Sequence, residues 1–139
     1  MILLDTNVVI YAFDLDSPFC RWARETIVNA VASDGAAINA VSLAEICVGD
    51  RDPLTAGDRI RSWGVEILHV PAAAAGVCAT AYGEYRKRRL SQSDISLPNM
   101  PLPDFFIGAH AKIMGLELAT TDRTRFRTYF PSVSLKMPQ

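Results

Sequence analysis

The stretch Met1-Ile2-Leu3-Leu4-Asp5-Thr6-Asn7 opens the chain and decides its fold. Residues 2–4 are apolar without polar alternation, which is typical of a strand buried on both faces of a parallel sheet. The run stops at Asp5, and a second apolar run starts at Val8, where we expect a short buried helix. A carboxylate therefore lies where a strand ends and a helix begins. In open α/β sheets, ligands bind in the crevice beyond the carboxyl ends of the strands.

The composition predicts one globular domain, residues 1–139, with a hydrophobic core. The chain is 50% hydrophobic and 21% charged, with a formal net charge of −1, so no strong basic field points to nucleic acid. If four acids were metal ligands, 11 of the 15 would face 14 Lys and Arg, and the remaining surface would be mildly cationic. Such a surface is compatible with a polyanionic substrate.

The cysteines and the apolar runs predict a soluble cytoplasmic protein. Cys20, Cys47 and Cys78 are widely spaced in apolar surroundings, which indicates core thiols in a reducing compartment. The first apolar run lacks the basic flank of a signal peptide. No apolar stretch reaches the roughly 18 residues needed to span a bilayer, so we expect no membrane contact.

Strand and helix patterns alternate along most of the chain. After the strand at 2–4, further strands are expected at 36–40, 65–68, 117–120 and 133–135. Besides the first helix at 8–13, helices are expected at 17–33, from 42, at 51–63, 71–89, 104–114 and 124–129. Residues 91–103 are polar with three prolines and predict a loop. The alternation predicts a three-layer α/β/α domain with a central parallel sheet.

Four carboxylates lie at strand ends or helix starts, and each has an ordinary structural explanation. Asp5 could cap the helix that follows it. Glu45 could complete a capping box in Ser42-Leu43-Ala44-Glu45, where a helix would start. Asp104 stands in a first helical turn, where the helix dipole favours a carboxylate. Asp122 lies in a Thr-Asp-Arg turn, where aspartate is common.

Taken together, the four acids indicate a cation site. They are expected at one rim of a parallel sheet, where they would repel one another strongly without cations. Oxygen ligands without nearby His or Cys suit Mg²⁺ or Mn²⁺. Such a cluster typically activates water and stabilises an in-line displacement at phosphorus.

The motifs around these acids resemble those of PIN-domain ribonucleases, and the small size resembles the VapC-type toxins of bacterial toxin–antitoxin pairs. The resemblance covers essentially the whole chain. It rests on Asp5-Thr6-Asn7, Glu45 at a helix start, Pro103-Asp104-Phe105-Phe106-Ile107-Gly108-Ala109, Thr120-Thr121-Asp122 and Arg125-Phe126-Arg127-Thr128-Tyr129-Phe130-Pro131.

This resemblance implies a divalent-metal-dependent endoribonuclease of a type II toxin–antitoxin system. Its chemistry would hydrolyse RNA phosphodiester bonds and leave 5′-phosphate and 3′-hydroxyl ends. It also implies a homodimer and a small cognate antitoxin whose tail enters the acidic cleft. Many relatives carry a basic residue just before the last acid, whereas this chain has Thr121 there and Arg123 after the acid.

The resemblance also assigns roles to individual residues. The catalytic and metal-binding acids would be Asp5, Glu45, Asp104 and Asp122. Asp5 and Asp104 would be the principal ligands of Mg²⁺ or Mn²⁺. Thr6 and Asn7 would hold the Asp5 carboxylate, and Thr121 would hold that of Asp122, as metal ligands usually require.

Other interpretations stay open. The chain could be a PIN-like scaffold that only binds a partner, or a phosphatase of the haloacid dehalogenase type, since Asp5-x-Asn7 resembles part of that Asp-x-Asp motif. No lysine stands where the phosphatase needs one. His110 is expected on a different helix face from Asp104, at the surface or an interface. The run 86–89 reads as a solvated helix end, with a contact to RNA phosphates as the alternative.

Overall fold

The central sheet of the computed structural model, which describes residues 1–91 and 101–139, contains five short strands. They are β1 (Ile2–Leu4), β2 (Ala36–Asn39), β3 (Val65–Leu68), β4 (Glu117–Ala119) and β5 (Leu135–Lys136). All neighbouring strands pair in parallel in the order β3-β2-β1-β4-β5, so β1 is the middle strand. Its three residues are all buried, which confirms the expected strand with both faces covered.

Helices cover both faces of this sheet. They are α1 (Thr6–Phe13), α2 (Cys20–Val31), α3 (Ala40–Val48), α4 (Ala56–Ser62), α5 (Ala74–Ser91), α6 (Leu102–Met114) and α7 (Arg123–Tyr129). Leu3 packs in a core with α5, α6 and α7, whereas Ile2 and Leu4 pack in a second core with α1, α2 and α4. Because successive strand side chains point to opposite faces, these cores lie on opposite sides of the sheet. The predicted three-layer α/β/α architecture is confirmed.

The predicted helix starts differ from the structure by one to five residues. The helices expected from residues 8, 51, 71, 104 and 124 begin at Thr6, Ala56, Ala74, Leu102 and Arg123. The helix expected from residue 17 begins at Cys20, although the Ser17 hydroxyl accepts a hydrogen bond from the Phe19 N–H (3.1 Å) in the turn before it. The helix expected from Ser42 begins at Ala40. Its cap is Asn39, whose side chain accepts from the Ser42 N–H at 2.9 Å.

Other boundaries differ by a few residues. The last strand is β5 at Leu135–Lys136 rather than 133–135, and the helix expected at 51–63 is confined to α4. Most of the predicted loop at 91–103 lies outside the described residues, but both of its ends are helical, since Ser91 ends α5 and α6 begins at Leu102. Gly115 ends α6 in the left-handed conformation (φ 61°), which is typical of a glycine at the end of a helix.

Two further expectations concern cysteines and membranes. Cys20 and Cys78 are buried and Cys47 is half-buried, and all three thiols are free. Across residues 1–91 and 101–139, the structure contains no helix whose length and apolar character would let it cross a bilayer.

A candidate active site at the rim of the sheet

The four predicted acids lie at one rim of the sheet, where β1 and β4 end and α6 begins. Glu45 is the sixth residue of α3 and not, as expected, at the start of that helix. Asp5 follows β1, Glu45 lies on α3, Asp104 is in the first turn of α6, and Asp122 precedes α7. Their charges act on one another, since Asp104 and Glu45 both raise the pKa of Asp5, and Glu45 and Asp122 both raise that of Asp104. The parallel sheet therefore gathers residues that are far apart in sequence.

Asp5 is the most deeply placed of these acids, with 4% of its surface exposed. The Thr120 hydroxyl donates to Asp5 Oδ2 at 2.9 Å. Burial raises the pKa of Asp5 to about 7, and the charges of Asp104 and Glu45 add to that rise, whereas the Thr120 hydrogen bond opposes it. Asp5 is the N-cap residue of α1, as its ordinary explanation expected, but within the described residues its side chain makes no capping hydrogen bond to that helix.

Glu45 is held by a neighbouring helix rather than by its own. The Thr6 hydroxyl on α1 donates to Glu45 Oε1 at 2.8 Å. The capping-box explanation was wrong, because Asn39 caps α3 and the Ser42 hydroxyl is buried without a hydrogen-bond partner in the described part of the chain.

Arg125 joins Asp104 and Asp122. Its Nη1 donates to Asp104 Oδ2 at 3.0 Å, and its Nε lies 2.9 Å from Asp122 Oδ2. Asp122 Oδ1 also accepts from the Arg125 N–H at 3.2 Å, so Asp122, which was expected only in a turn before the helix, is the N-cap of α7. Burial raises the pKa of Asp104 most strongly, and the guanidinium beside it acts in the opposite direction.

The hydroxyl groups around the acids are arranged differently from the expectation. Thr120 Oγ1 holds Asp5 and also accepts from the Asp122 N–H at 3.0 Å, so it links the two acids. The Thr6 hydroxyl reaches Glu45 instead of Asp5, while Asn7 is exposed and Thr121 is half-buried. Thr120 and Arg125 are the residues that the sequence analysis missed.

Signals for both residues exist in the sequence. Thr120 stands at the carboxyl end of an apolar strand, as Asp5 does, so the reasoning used for Asp5 would also have placed Thr120 at this rim. Arg125 stands three residues after Asp122, a spacing that places the two side chains side by side on a helix. Neither signal identifies the partner of the residue, which depends on the order of the strands.

The four carboxylates are not arranged as the ligands of a single metal ion. Among residues 1–91 and 101–139, no group of three or more His, Cys, Asp or Glu side chains is arranged to hold a metal ion. Two of the acids face Arg125, and the other two accept from Thr6 and Thr120. The four carboxylates therefore lie close enough to interact electrostatically, but their oxygens accept hydrogen bonds from protein donors.

His110 was wrongly expected at the surface or an interface. It is 1% exposed, and its Nδ1 lies 3.3 Å from Asn39 Nδ2 on β2. Burial lowers the pKa of His110. The helix face opposite Asp104 is interior, because α6 is buried along most of its length between the sheet and α5.

The basic run 86–89 is exposed at the end of α5, beside the elements that carry the acids. The Arg88 guanidinium lies 5.9 Å from the centre of the Tyr129 ring on α7. Tyr85 packs on Phe105, the residue after Asp104, with ring centres 5.4 Å apart. The run is thus close to both α6 and α7.

Comparisons with known proteins give the family. No curated protein sequence matches the chain significantly. Among solved structures, VapBC2 from Rickettsia felis bound to a promoter DNA fragment contains a similar chain (TM-score 0.67, 21% identity, 100% of both chains). A toxin–antitoxin complex from Klebsiella pneumoniae (0.60, 22%, 91% of this chain and 90% of that chain) has a similar fold. So does Mycobacterium tuberculosis VapC20, a sarcin–ricin loop cleaving toxin (0.61, 16%, 96% and 99%).

A family model for the PIN domain matches residues 2–130, a range that contains all four acids and Arg125. The match covers nearly the whole chain and agrees with the parallel five-stranded sheet. The chain therefore belongs to the PIN-domain family.

Proposed function

We propose that this protein is a divalent-metal-dependent endoribonuclease and the toxin of a type II toxin–antitoxin pair. The observation that carries the proposal is the gathering of Asp5, Glu45, Asp104 and Asp122 at one rim of a PIN-domain sheet. The similar folds of a toxin–antitoxin complex and of an RNA-loop-cleaving toxin support it. We infer that it acts in the cytoplasm, where a toxin of this kind meets RNA.

The donor chemistry of the site fits Mg²⁺ or Mn²⁺. Burial, and to a smaller extent the charges of Asp104 and Glu45, disfavour the anion of Asp5, so a cation beside it would stabilise the ionised carboxylate. Hard divalent cations prefer carboxylate oxygens. Asp5 and Asp104 would be the principal ligands, with Glu45 and Asp122 completing the site directly or through water. The bound cation would supply an activated water and stabilise charge on the leaving oxygen.

Neighbouring hydroxyl groups hold two of the four acids in position for metal binding. Thr120 fixes the Asp5 carboxylate and Thr6 fixes that of Glu45, so two of the four side chains are oriented by hydroxyl groups. Such supporting hydrogen bonds orient ligands and tune a metal site. Asp104 in the first turn of α6 is also favoured by the helix dipole.

The cationic residues beside the cleft suit an RNA substrate. Half of the 14 Lys and Arg residues lie within 86–89 and 123–127. Arg88 contacts Tyr129 and Arg125 contacts Asp104, so both segments adjoin the acidic rim. Basic side chains in such positions give salt-dependent affinity for the RNA backbone.

An apolar groove on α1, α2 and α4 suits the proposed antitoxin. Phe13 stacks on Trp63 with ring centres 4.2 Å apart, and cavities of about 520 and 590 Å³ lie on either side of this pair. Glu45 lines the first cavity, so a segment bound in the groove could extend its tail to the acids. Ile10, Phe13 and Val28 are 44%, 55% and 64% exposed, which is unusual for such large apolar side chains in contiguous positions.

Cleavage of RNA by the purified protein tests the enzymatic role. We expect cleavage with Mg²⁺ or Mn²⁺ and none with chelator, and we expect Asp5→Asn and Asp104→Asn to abolish it while keeping the fold. Asp34→Asn, which removes an exposed carboxylate near the opposite end of β2, is the matched control and should keep full activity. Full activity of both site variants would refute the proposal. Metal binding without any cleavage would favour the scaffold interpretation.

Co-expression with the neighbouring small gene product, followed by size exclusion, tests the partner. We expect a stable complex, and we expect Phe13→Asp to prevent it. The same measurement reports whether the protein alone is the homodimer that the family resemblance implies. If the two proteins elute separately, the toxin role is contradicted, but the nuclease role is not affected.

A further inference from the structure

Arg125 occupies the side of the acidic cleft between α6 and α7. Its guanidinium reaches Asp104 through Nη1 (3.0 Å) and Asp122 through Nε (2.9 Å). One planar cation thus satisfies oxygens of two acids that the proposed function assigns to a divalent metal. A guanidinium and a metal ion cannot occupy the same position between these oxygens.

The ion pairs of Arg125 with Asp104 and Asp122 are partly buried, so they contribute to the stability of the cleft. The side chains of Arg125, Asp104 and Asp122 are 28%, 14% and 35% exposed. Solvent therefore screens the pairs less than a typical surface salt bridge, whose contribution is small. Hydrogen bonds between charged groups in such surroundings are among the stronger ones in proteins.

Aromatic side chains in the core hold the part of the chain that carries Arg125 in place. Phe126, the next residue, and Phe130 are each 1% exposed in the core under α7. Phe130 lies so close to Gly108 on α6 that an added Cβ would overlap its ring. This close approach ties α7 to the helix that carries Asp104, so the Arg125 side chain is directed into the cleft.

We propose that Arg125 is an internal counter-cation that competes with divalent metal for Asp104 and Asp122, and that metal entry displaces its guanidinium. The inference rests on the proposed function, since it assumes that these acids bind metal. It explains why the acids are close enough to interact electrostatically and yet form no ready ligand set in the described residues. Arg125 stabilises the metal-free cleft, and its removal leaves the two carboxylates available.

Titration of the purified protein with Mn²⁺ alone, followed by calorimetry and thermal unfolding, tests the proposal. Arg125→Gln should bind Mn²⁺ about tenfold more tightly than the unmodified protein, because the competing charge-assisted hydrogen bonds are gone. Its metal-free form should melt at a lower temperature, and Mn²⁺ should raise its melting temperature by more. Arg127→Gln is the matched control, since it removes the same charge from an exposed position on the same helix. It should change the Mn²⁺ affinity by less than about twofold.

Equal Mn²⁺ affinities for Arg125→Gln and Arg127→Gln would overturn the inference. Arg125 would then only hold α7 in place. That result would leave the metal-dependent function standing, provided that the unmodified protein binds Mn²⁺. Absence of binding in every form would overturn the proposed function and this inference together. If Arg125→Gln does not fold, Arg125→Lys replaces it. A lysine keeps the charge but cannot bridge two carboxylates with a planar fork, so its Mn²⁺ affinity should still exceed that of the unmodified protein.

Discussion

Replacement of Asp5 by Asn should stabilise the metal-free protein above neutral pH. Asp5 is buried, and its folded-state pKa is raised to about 7, whereas an unfolded aspartate titrates near 4. The ionised carboxylate is therefore disfavoured in the folded protein. Asparagine has nearly the same shape, can still accept the Thr120 hydrogen bond, and carries no charge at any pH.

The sign and size follow from proton linkage. Below about pH 4 the folded and unfolded proteins both hold the Asp5 proton, and above about pH 7 both have lost it. Between these values only the folded protein holds it, so the free energy of unfolding falls as pH rises. About three pKa units at ~1.4 kcal/mol each give a loss of about 4 kcal/mol by pH 8. For a domain of this size, that corresponds to roughly 10 °C in melting temperature.

Thermal unfolding monitored by circular dichroism from pH 4 to 9, in chelator, measures this effect. The unmodified protein should lose stability across the window, and Asp5→Asn should lose much less, so that the variant is more stable at pH 8. Asp104 remains in both proteins, but its charge acts on Asp5, so the difference between the two curves reports the Asp5 carboxyl together with its interaction with Asp104. Asp34→Asn, at an exposed site, should reproduce the unmodified curve.

Parallel curves for the unmodified protein and Asp5→Asn would refute the reasoning, because they would mean that the Asp5 carboxyl titrates alike in the folded and unfolded chains. Addition of Mn²⁺ at pH 8 provides a second arm. It should restore stability to the unmodified protein and have a much smaller effect on Asp5→Asn.

Two further substitutions test the surroundings of the acids. Thr120→Val removes the donor to Asp5 and the acceptor of the Asp122 N–H, so metal-dependent cleavage should fall about 10- to 100-fold, whereas Thr121→Val should have little effect in the same assay. Replacement of Arg86 and Arg88 together by Gln should weaken RNA binding and lower the slope of log affinity against log salt by roughly 1 to 2, as measured by fluorescence anisotropy. The paired change of Arg21 and Arg61 to Gln, on the other layer, should leave that slope unchanged.

The core of the fold and the location of the site could be predicted from the sequence. Residues 2–4 have to be apolar because both faces of the middle strand are covered, and this requirement is visible as an uninterrupted run. The position of Asp5 at the rim then follows from chain order alone. The same reasoning places Asp122 after β4, since the carboxyl ends of parallel strands lie at the same edge.

The partners of the polar groups could not be predicted in this way. Thr120 holds Asp5 because β4 pairs with β1 in a register that sets Ala119 beside Leu4, and no local pattern specifies that pairing. The capping box predicted Ser42 as the cap of α3, but Asn39 has a nearly equal capping preference, and its position at the end of β2 makes it the cap.

The environment of His110 could not be predicted from helix periodicity either. The spacing from Asp104 correctly gave a different face, since six residues rotate the side chain well away from the acid. Periodicity gives only the relative direction of side chains, however, and residues 105–111 of α6 are all buried or half-buried. Its far face is therefore interior, and the neighbour of His110 is Asn39 on β2 rather than solvent.

The charges of the cleft divide into two halves with different counter-groups. On the α7 side, Asp104 and Asp122 face the guanidinium of Arg125, a full positive charge. On the α1 side, Asp5 and Glu45 accept from the neutral hydroxyls of Thr120 and Thr6. Hydroxyl groups orient a carboxylate but do not neutralise it, so the excess negative charge is concentrated near Asp5.

Burial is the main cause of the raised pKa of Asp5, and the negative charges of Asp104 and Glu45 add to it. The two kinds of counter-group determine which competitor a metal ion meets at each acid of the proposed site. At neutral pH a proton competes for Asp5, whereas Arg125 competes for Asp104. A divalent cation that binds both acids must displace the proton from one and the guanidinium from the other. Metal affinity should therefore rise with pH through about 7 in the unmodified protein, and it should rise similarly, from a higher starting value, in Arg125→Gln. Two independent competitors, one removed by pH and one by mutation, distinguish this arrangement from a cleft in which all four acids are equivalent.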